Sequence, residues 1–245
     1  MLSFIVPAYN EEILIGSTLA ALNDAGAALG QPFEVVVVDD ASTDRTAAIA
    51  AEHGARVVPA QNRQIAATRN AGARAAGGEM LIFVDADTIV TRAAVREALD
   101  AMRAGAAGGG CLIRFDGDVP LYGRLLLGTL LPLYRLFRIA SGSFLFCTRQ
   151  AFDAAGGFDE GLFAAEELAM SRALHRQGRF LVLREFVTTS GRKVRAYSAR
   201  EVLGVMARLA LSGEKGVRRR KGLEPWYGKR RPDPGSGGPP RPPHW

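Results

Sequence analysis

The chain has 245 residues, 48% of them hydrophobic, enough for one large domain with its own core, and a formal net charge of +6. That charge does not describe a nucleic-acid-binding body: nine Lys/Arg against three Asp/Glu between Gly213 and Trp245 account for all of it, and residues 1–212 are neutral. The two cysteines, Cys111 and Cys147, lie in apolar runs and offer neither a disulfide framework nor a Cys-x-x-Cys metal clip, which fits a reducing cytoplasm.

Met1–Tyr9 lacks a basic leader and is interrupted at Pro7, so the opening reads as a strand and not as a signal peptide. Its apolar part, Ser3–Val6, leads to Asn10, an N-cap candidate for a helix starting at Glu11 and Glu12. The β-branched run Glu34–Val38 suits a strand buried on both faces, and Ser42-Thr43-Asp44 offers caps for a second helix through Ala51. Arg56–Val58 follows as a short strand, Gln64–Ala76 as an Ala/Arg helix, Met80–Val84 as a buried strand and Thr91–Arg103 as an amphipathic helix. This alternation predicts an α/β fold, a mostly parallel sheet covered by helices. The second half is less regular, with strands expected at Gly109–Phe115, Ser143–Thr148, Phe180–Leu183 and Phe186–Thr189, and helices at Glu166–Gln177 and Ala199–Leu211. Beyond Ser212 the composition turns to Arg, Gly and Pro, with seven of the twelve prolines in the last 33 residues, and no packed structure is expected.

In an open α/β sheet, ligands bind outside the carboxyl ends of the strands. Two acidic corners fall there: Asp39 and Asp40 end one buried strand, Asp85 and Asp87 another. The alternation in Asp85-Ala86-Asp87 turns both carboxylates to one side, and such hard oxygens suit Mg²⁺ or Mn²⁺ shared with a diphosphate, although Asp87 could instead cap the helix near Thr91. One carboxylate of Asp39 and Asp40 could accept the N–H of a uracil or guanine edge, while Asp44 suits a helix cap. Glu166 and Glu167 open a helix, where acids commonly complement the dipole; crowding could also raise the pKa of one and make it a general base. Gly156-Gly157-Phe158 suggests a loop able to approach a ligand closely.

The segments Val6-Pro7-Ala8-Tyr9-Asn10-Glu11-Glu12, Val37-Val38-Asp39-Asp40-Ala41-Ser42-Thr43-Asp44, Arg69-Asn70-Ala71-Gly72, Phe83-Val84-Asp85-Ala86-Asp87-Thr88 and Gly156-Gly157-Phe158-Asp159-Glu160 leading to Glu166-Glu167 occur in this order over about residues 3–180. This ordered set resembles the inverting family 2 glycosyltransferases of the GT-A fold. The resemblance implies one GT-A-type, Rossmann-like domain over 1–212, its nucleotide-binding half at 1–104 and its acceptor and catalytic half at 105–212, followed by a disordered basic tail over 213–245. It implies that Pro7, Ala8, Tyr9 and Asp40 contact the nucleotide base, with Glu11, Asp39, Arg69 and Ala86 also on the donor side. Asp85 then lies near the ribose and donor sugar, and Asp87 binds the diphosphate and Mn²⁺ or Mg²⁺. The family's Glu-Asp pair ends in the catalytic base, which falls on Glu167; here a Glu replaces Asp, so the base reaches one methylene further and Glu166 stays an alternative. The reaction implied is in-line displacement with inversion, from a UDP- or GDP-sugar to an acceptor hydroxyl, without a covalent enzyme intermediate. Some GT-A enzymes add a late His ligand, but His53, His175 and His244 fall in a helix end, a helix and the tail, and none is assigned to metal.

Leu125–Tyr134 is an uncharged stretch too short to span a bilayer, which takes about 20 residues. At about 100° per residue Arg124, Arg135 and Arg138 fall near one side, so 119–138 reads as a helix with a narrow basic stripe and a broad apolar face, interrupted near Pro132. It would lie in a membrane interface or line a groove for a lipid acceptor, or else pack as a core or dimer-contact helix. The basic runs Arg218–Lys221 and Lys229–Arg231 would attract anionic headgroups, unless they are simply solvated; no specific nucleic-acid partner is expected. Ser190–Arg195 is either a basic loop closing over the diphosphate, with Arg192 as a bidentate contact, or an exposed hairpin tip. A sugar-nucleotide-forming nucleotidyltransferase would carry a Gly-rich phosphate loop after its first strand, and a dinucleotide oxidoreductase a Gly-x-Gly-x-x-Gly; that place holds Pro7-Ala8-Tyr9-Asn10. A sugar-nucleotide binder without catalysis stays compatible with the residues. The expected location is the cytoplasm, with a peripheral position at the inner face of the membrane.

Overall fold

A computed structural model of the chain describes residues 1–220 together with 222, 223, 227, 228, 231 and 233. The first half alternates as the sequence suggests: β1 (Leu2–Ala8), α1 (Ile15–Ala27), β2 (Phe33–Asp40), α2 (Thr46–Glu52), β3 (Arg56–Ala60), α3 (Ile65–Ala75), β4 (Met80–Val84), the two-residue β5 (Thr88–Ile89) and α4 (Arg92–Arg103). It continues through β6 (Ala106–Phe115), α5 (Leu121–Phe137), β7 (Phe144–Thr148), α6 (Arg149–Ala155), α7 (Glu166–Gln177), β8 (Arg179–Thr189), α8 (Arg192–Ala196) and α9 (Ala199–Val217).

The strands form one sheet in the order β3-β2-β1-β4-β7-β6-β8-β5. The first four run parallel, β7 enters antiparallel between β4 and β6, and β6 pairs with β8 in parallel. Helices cover both faces, which is why the central strands are apolar on alternate residues in both directions: Phe4, Val37 and Ile82 pack under α1 and α4, while Ile5, Val38 and Phe83 pack under α3, α6 and α7. The result is a mixed α/β domain in three layers, with the ends of β1, β2 and β4 on one edge.

Several local expectations resolve differently. Asn10 does not cap α1, which starts at Ile15; it turns into the left-handed region at φ 49° and ties the β1 corner to the β2 corner, its N–H donating to Ser42 Oγ and its Oδ1 accepting from Thr43 N–H. Asp44 serves the start of α2, one residue before the N-cap Arg45, its Oδ1 accepting from Thr46 N–H. Thr91 caps α4 by accepting from Ala94 N–H, which releases Asp87 from that task. The two short strands expected at Phe180–Leu183 and Phe186–Thr189 are one strand, β8, whose register against β6 slips between Val182 and Phe186. There the amides of Arg184 and Glu185 donate to the Glu97 carboxylate.

Helix α5 runs unbroken through Pro132. Pro132 offers no N–H to the carbonyl of Gly128, but Gly128 is exposed, so water can serve that oxygen. At the carboxyl end α9 continues past the expected Leu211 to Val217, so packed structure extends into the segment expected to be a tail. Leu223 is buried, Tyr227 packs on Phe163, and Asp233 pairs with Arg195; Lys221, Lys229, Arg230 and residues 234–245 lie outside the described residues.

Gly72 shows why α3 can lie so close to the sheet. A Cβ there would stand 2.4 Å from Ile5 Cγ2 and 3.0 Å from Val38 Cγ2. In an open helix Gly→Ala stabilises by about 1 kcal/mol, but here overpacking against two strands reverses the sign. Gly72→Ala is expected to lower stability by about 1–3 kcal/mol, read as a lower urea midpoint at unchanged slope.

Candidate functional site

The ends of β1, β2 and β4, the start of α3, and α8 surround an open cleft of the concave kind that holds small molecules. Of the residues singled out in the sequence, Pro7, Ala8, Tyr9, Glu11, Asp40, Asp85, Ala86, Asp87 and Arg192 line it; Asp39, Arg69, Glu166 and Glu167 do not. Asp39 alternates to the opposite face of β2 from Asp40, and its Oδ1 is buried without a hydrogen-bond partner. Arg63, Gln64, Ile65, Thr68, Lys193 and Tyr227 complete the lining and were not foreseen. Tyr227 lies in the segment read as unstructured, and Arg63 has no local signal.

Asp40 organises one end of the cleft. Its Oδ1 accepts from the backbone N–H groups of Asn62 (2.6 Å) and Arg63 (2.9 Å), and its Oδ2 from Thr68 Oγ1 (2.9 Å). The carboxylate thereby holds Arg63 in the left-handed region at φ 48°, with its guanidinium 3.3 Å above the Tyr9 ring.

Arg192 dominates the other end. The segment expected as a loop or hairpin tip is instead the short helix α8, and its first side chain lies along the cleft wall. The guanidinium forks onto Glu11, with Nη1 2.6 Å from Oε2 and Nη2 bonded to Oε1, and Nη2 also reaches Asp87 Oδ2 at 3.0 Å. Burial alone would favour its neutral form, but the Glu11 hydrogen bonds and the Asp87 charge outweigh it and raise the pKa.

Arg69, expected on the donor side, lies behind the cleft with its side chain only 3% exposed. Three protein acceptors take its N–H groups: Asp85 Oδ1 at 2.9 Å, Glu166 Oε1 at 2.9 Å and the Gly142 carbonyl at 2.8 Å. It joins the end of β4 to the start of α7. The neighbouring motif residue Asn70 exchanges hydrogen bonds with the backbone of Phe158 on both sides, so the Gly156–Phe158 loop approaches α3 rather than the cleft.

Glu166 and Glu167 therefore differ in kind. Glu166 is buried and committed to Arg69, whereas Glu167 is half-buried near Gly142, with no side-chain ion pair among the described residues. Burial and the adjacent Glu166 charge push the Glu167 carboxyl up to about 8, against the pull of Arg69. Burial likewise raises Asp85, with Asp87 adding to it and Arg69 opposing it. Tyr134 of α5 feels the Glu167 charge, which together with its burial raises the phenol to about 12.

The donor set suits a hard cation: Asp85 and Asp87 present carboxylate oxygens to the cleft, although no group of three or more His, Cys, Asp or Glu gathers among the described residues, so further oxygens would come from a bound phosphate or water.

A sheet of this topology, with paired acids at the ends of β2 and β4, defines a GT-A-type α/β domain, and solved structures share it. A mannosyltransferase from Pyrobaculum calidifontis, solved with GDP-Man and Mn²⁺, aligns with a TM-score of 0.67 at 20% identity over 92% of this chain and 66% of its own. TarS 1–349 of S. aureus, solved with UDP, gives 0.61 at 21% identity over 87% and 72%. Residues 3–154 match the family described as glycosyl transferase family 2, and the chain belongs to that family. Among curated relatives, a validoxylamine A glucosyltransferase of Streptomyces hygroscopicus subsp. jinggangensis is 33% identical over 130 residues, 49% of this chain and 30% of that protein. An undecaprenyl-phosphate 4-deoxy-4-formamido-L-arabinose transferase of Pectobacterium carotovorum is 35% identical over 96 residues, 35% of this chain and 28% of that protein. The chain thus spans less than a third of the length of these curated relatives.

Replacing Arg69 by Met would leave the buried Glu166 carboxylate unpaired and remove the partner of the part-exposed Asp85, at a cost of about 3 kcal/mol. Without Arg69, the Asp85 carboxyl, already raised by burial, would stand further above its value in the unfolded chain, so the loss grows as pH rises. Urea unfolding of Arg69→Met should show a larger deficit at pH 8 than at pH 5.

Proposed function

We propose that the chain transfers a sugar, with inversion, from a UDP- or GDP-sugar to a hydroxyl of a lipid-linked acceptor. The observation that carries this reading is the division of labour on one sheet edge: a cleft floored by Asp40, Asp85 and Asp87, and beyond Arg69 a carboxyl group, Glu167, poised near 8 and without an ion pair among the described residues. In the proposed reaction the acceptor hydroxyl gives its proton to the Glu167 carboxylate, and its oxygen forms the new bond to the anomeric carbon. The bond from that carbon to the diphosphate breaks on the opposite face, and the nucleoside diphosphate leaves. Tyr9 and Arg63 would flank the base, with Asp40 holding their loop, and Asp85 would face the ribose and sugar. Asp87, with Asp85 beside it, would hold Mn²⁺ or Mg²⁺, which when bound supplies positive charge to the departing diphosphate. Arg192 and Lys193 stand on the same wall as further cations. Residues 1–104 then act as the nucleotide-binding half and 105–212 as the acceptor half.

For the acceptor, the support is α5. Leu125, Leu136 and Phe137 are exposed, Leu136 to 73% and Phe137 to 62%, and Arg124, Arg135 and Arg138 stand exposed on the same helix, a composition suited to an anionic bilayer surface. Tyr134 on this helix lies within electrostatic reach of Glu167. The undecaprenyl-phosphate transferase among the relatives supports a lipid-linked acceptor. No helix among the described residues is long and apolar enough to cross a membrane, so the contact proposed is peripheral.

Purified Glu167→Gln is expected to lose about 10²–10⁴-fold in transfer while binding the nucleotide normally. Because the base must be ionised, wild-type kcat/KM should climb with pH and level off above about 8. A Glu167→Gln enzyme of near-normal rate would sink the assignment.

For membrane attachment, the full chain should float with anionic vesicles at low salt. A variant carrying Leu125→Ser, Leu136→Ser and Phe137→Ser should stay in the soluble fraction with an unchanged melting temperature; wild-type protein that ignores such vesicles would refute the contact.

A further inference from the structure

The described part of the C-terminal segment returns to the cleft and is held there by several contacts. After α9, the Val217 carbonyl accepts from Phe163 N–H at 2.7 Å, and Arg218 pairs with Asp159 at 3.2 Å. Leu223 is only 2% exposed, and its carbonyl accepts from Tyr227 N–H at 3.0 Å. The Tyr227 ring packs edge-on against Phe163, centroids 5.8 Å apart, with the Arg220 guanidinium 5.2 Å from its centre. Phe163 belongs to the loop that delivers Glu166 and Glu167, so the segment braces that loop and places a tyrosine in the wall of the cleft.

The tyrosine is over-equipped for bracing. Its hydroxyl is buried, beside the Ile65 amide, and finds no acceptor for its own proton among the described residues. A buried polar group left in this state costs free energy that a phenylalanine would avoid, since the ring alone makes the contact with Phe163. Burial and the Glu166 charge raise the phenol to about 12, so the group is a neutral donor at any working pH. It stands on the cleft wall with Ile65 and Thr68, while Arg192 and Lys193, the cations fit for phosphate, come from α8. A neutral donor of this kind is matched by an uncharged acceptor oxygen.

We propose that Tyr227 is a donor-contacting residue whose O–H donates to a hydroxyl oxygen of the bound sugar-nucleotide, on either its ribose or its transferred sugar. This rests on the sugar-nucleotide reading of the cleft and extends it to a residue far outside the matched stretch 3–154. The C-terminal segment is then a working wall of the site.

The test uses the full chain and Tyr227→Phe, titrated calorimetrically with UDP, GDP, UDP-glucose and GDP-mannose in the presence of Mn²⁺. Tyr227→Phe should weaken the Kd of whichever sugar-nucleotide the wild type binds by about five- to tenfold, the net worth of one hydrogen bond. Its ligand-free melting temperature should equal or exceed that of wild type, because the unpaired hydroxyl is gone. Weakening of nucleoside diphosphate and sugar-nucleotide alike places the contact on the ribose; weakening of the sugar-nucleotide alone places it on the transferred sugar. Unchanged affinity for both, or a lowered ligand-free melting temperature, overturns the proposal. Wild-type protein that binds none of the four overturns the sugar-nucleotide reading as well, which separates the two failures.

Discussion

The buried guanidinium of Arg69 lies between Asp85 at the end of β4 and Glu166 at the start of α7, and the geometry of the whole edge depends on it. A planar, permanently charged fork can satisfy two carboxylates and a carbonyl at once, which a lysine ammonium on a flexible stem does less rigidly. The brace also separates two adjacent acids that would otherwise be equivalent: Glu166 spends its charge on Arg69, and Glu167 is left to be governed by burial and by its neighbour's charge. Within one turn and a half of α3, Arg69 joins two corners, Asn70 pins the Phe158 loop, and Gly72 permits the close approach to β1 that puts both in reach.

The alternating strands and helices of residues 2–103 were legible because the central strands β1, β2 and β4 are largely buried on both faces and each connection is short, so local pattern and tertiary burial agree. The acidic corners were legible for a related reason: a carboxylate directly after a buried strand can only sit on the sheet's carboxyl edge. What each acid does there was less readable. Asp40 spends both oxygens on protein donors that lie more than twenty residues away, and Arg69 turns from the cleft to acids at positions 85 and 166; no local pattern encodes such partners. Thr91 at the helix start was the better cap than Asp87, and capping chemistry alone could not rank them. The C-terminal segment was misjudged where composition outweighed its few anchors, since Leu223 and Tyr227 sit in a short stretch set between Arg-, Gly- and Pro-rich runs.

The two substrates of the proposed reaction meet differently built surfaces. The cleft is walled by strand ends, α3 and α8, elements fixed by the core, whereas α5 has only Gly123 fully buried and meets the body through isolated side chains such as Tyr122, whose hydroxyl donates to the carbonyls of Val194 and Tyr197. A rigid donor cleft beside a lightly attached apolar helix divides the molecule into a part that sets chemical geometry and a part that can adapt to its surroundings.

Arg192 gives the acidic wall a neutralising charge drawn from the chain itself. With its guanidinium on Glu11 and Asp87, part of the wall's negative charge is offset within the fold. An external cation that took Asp87 Oδ2 would compete with that guanidinium, and its measured affinity would report the difference between two interactions rather than the strength of one. A divalent ion there would bring two positive charges where the arginine supplies one, so loading the wall would free a phosphate-binding side chain and leave the edge more positive.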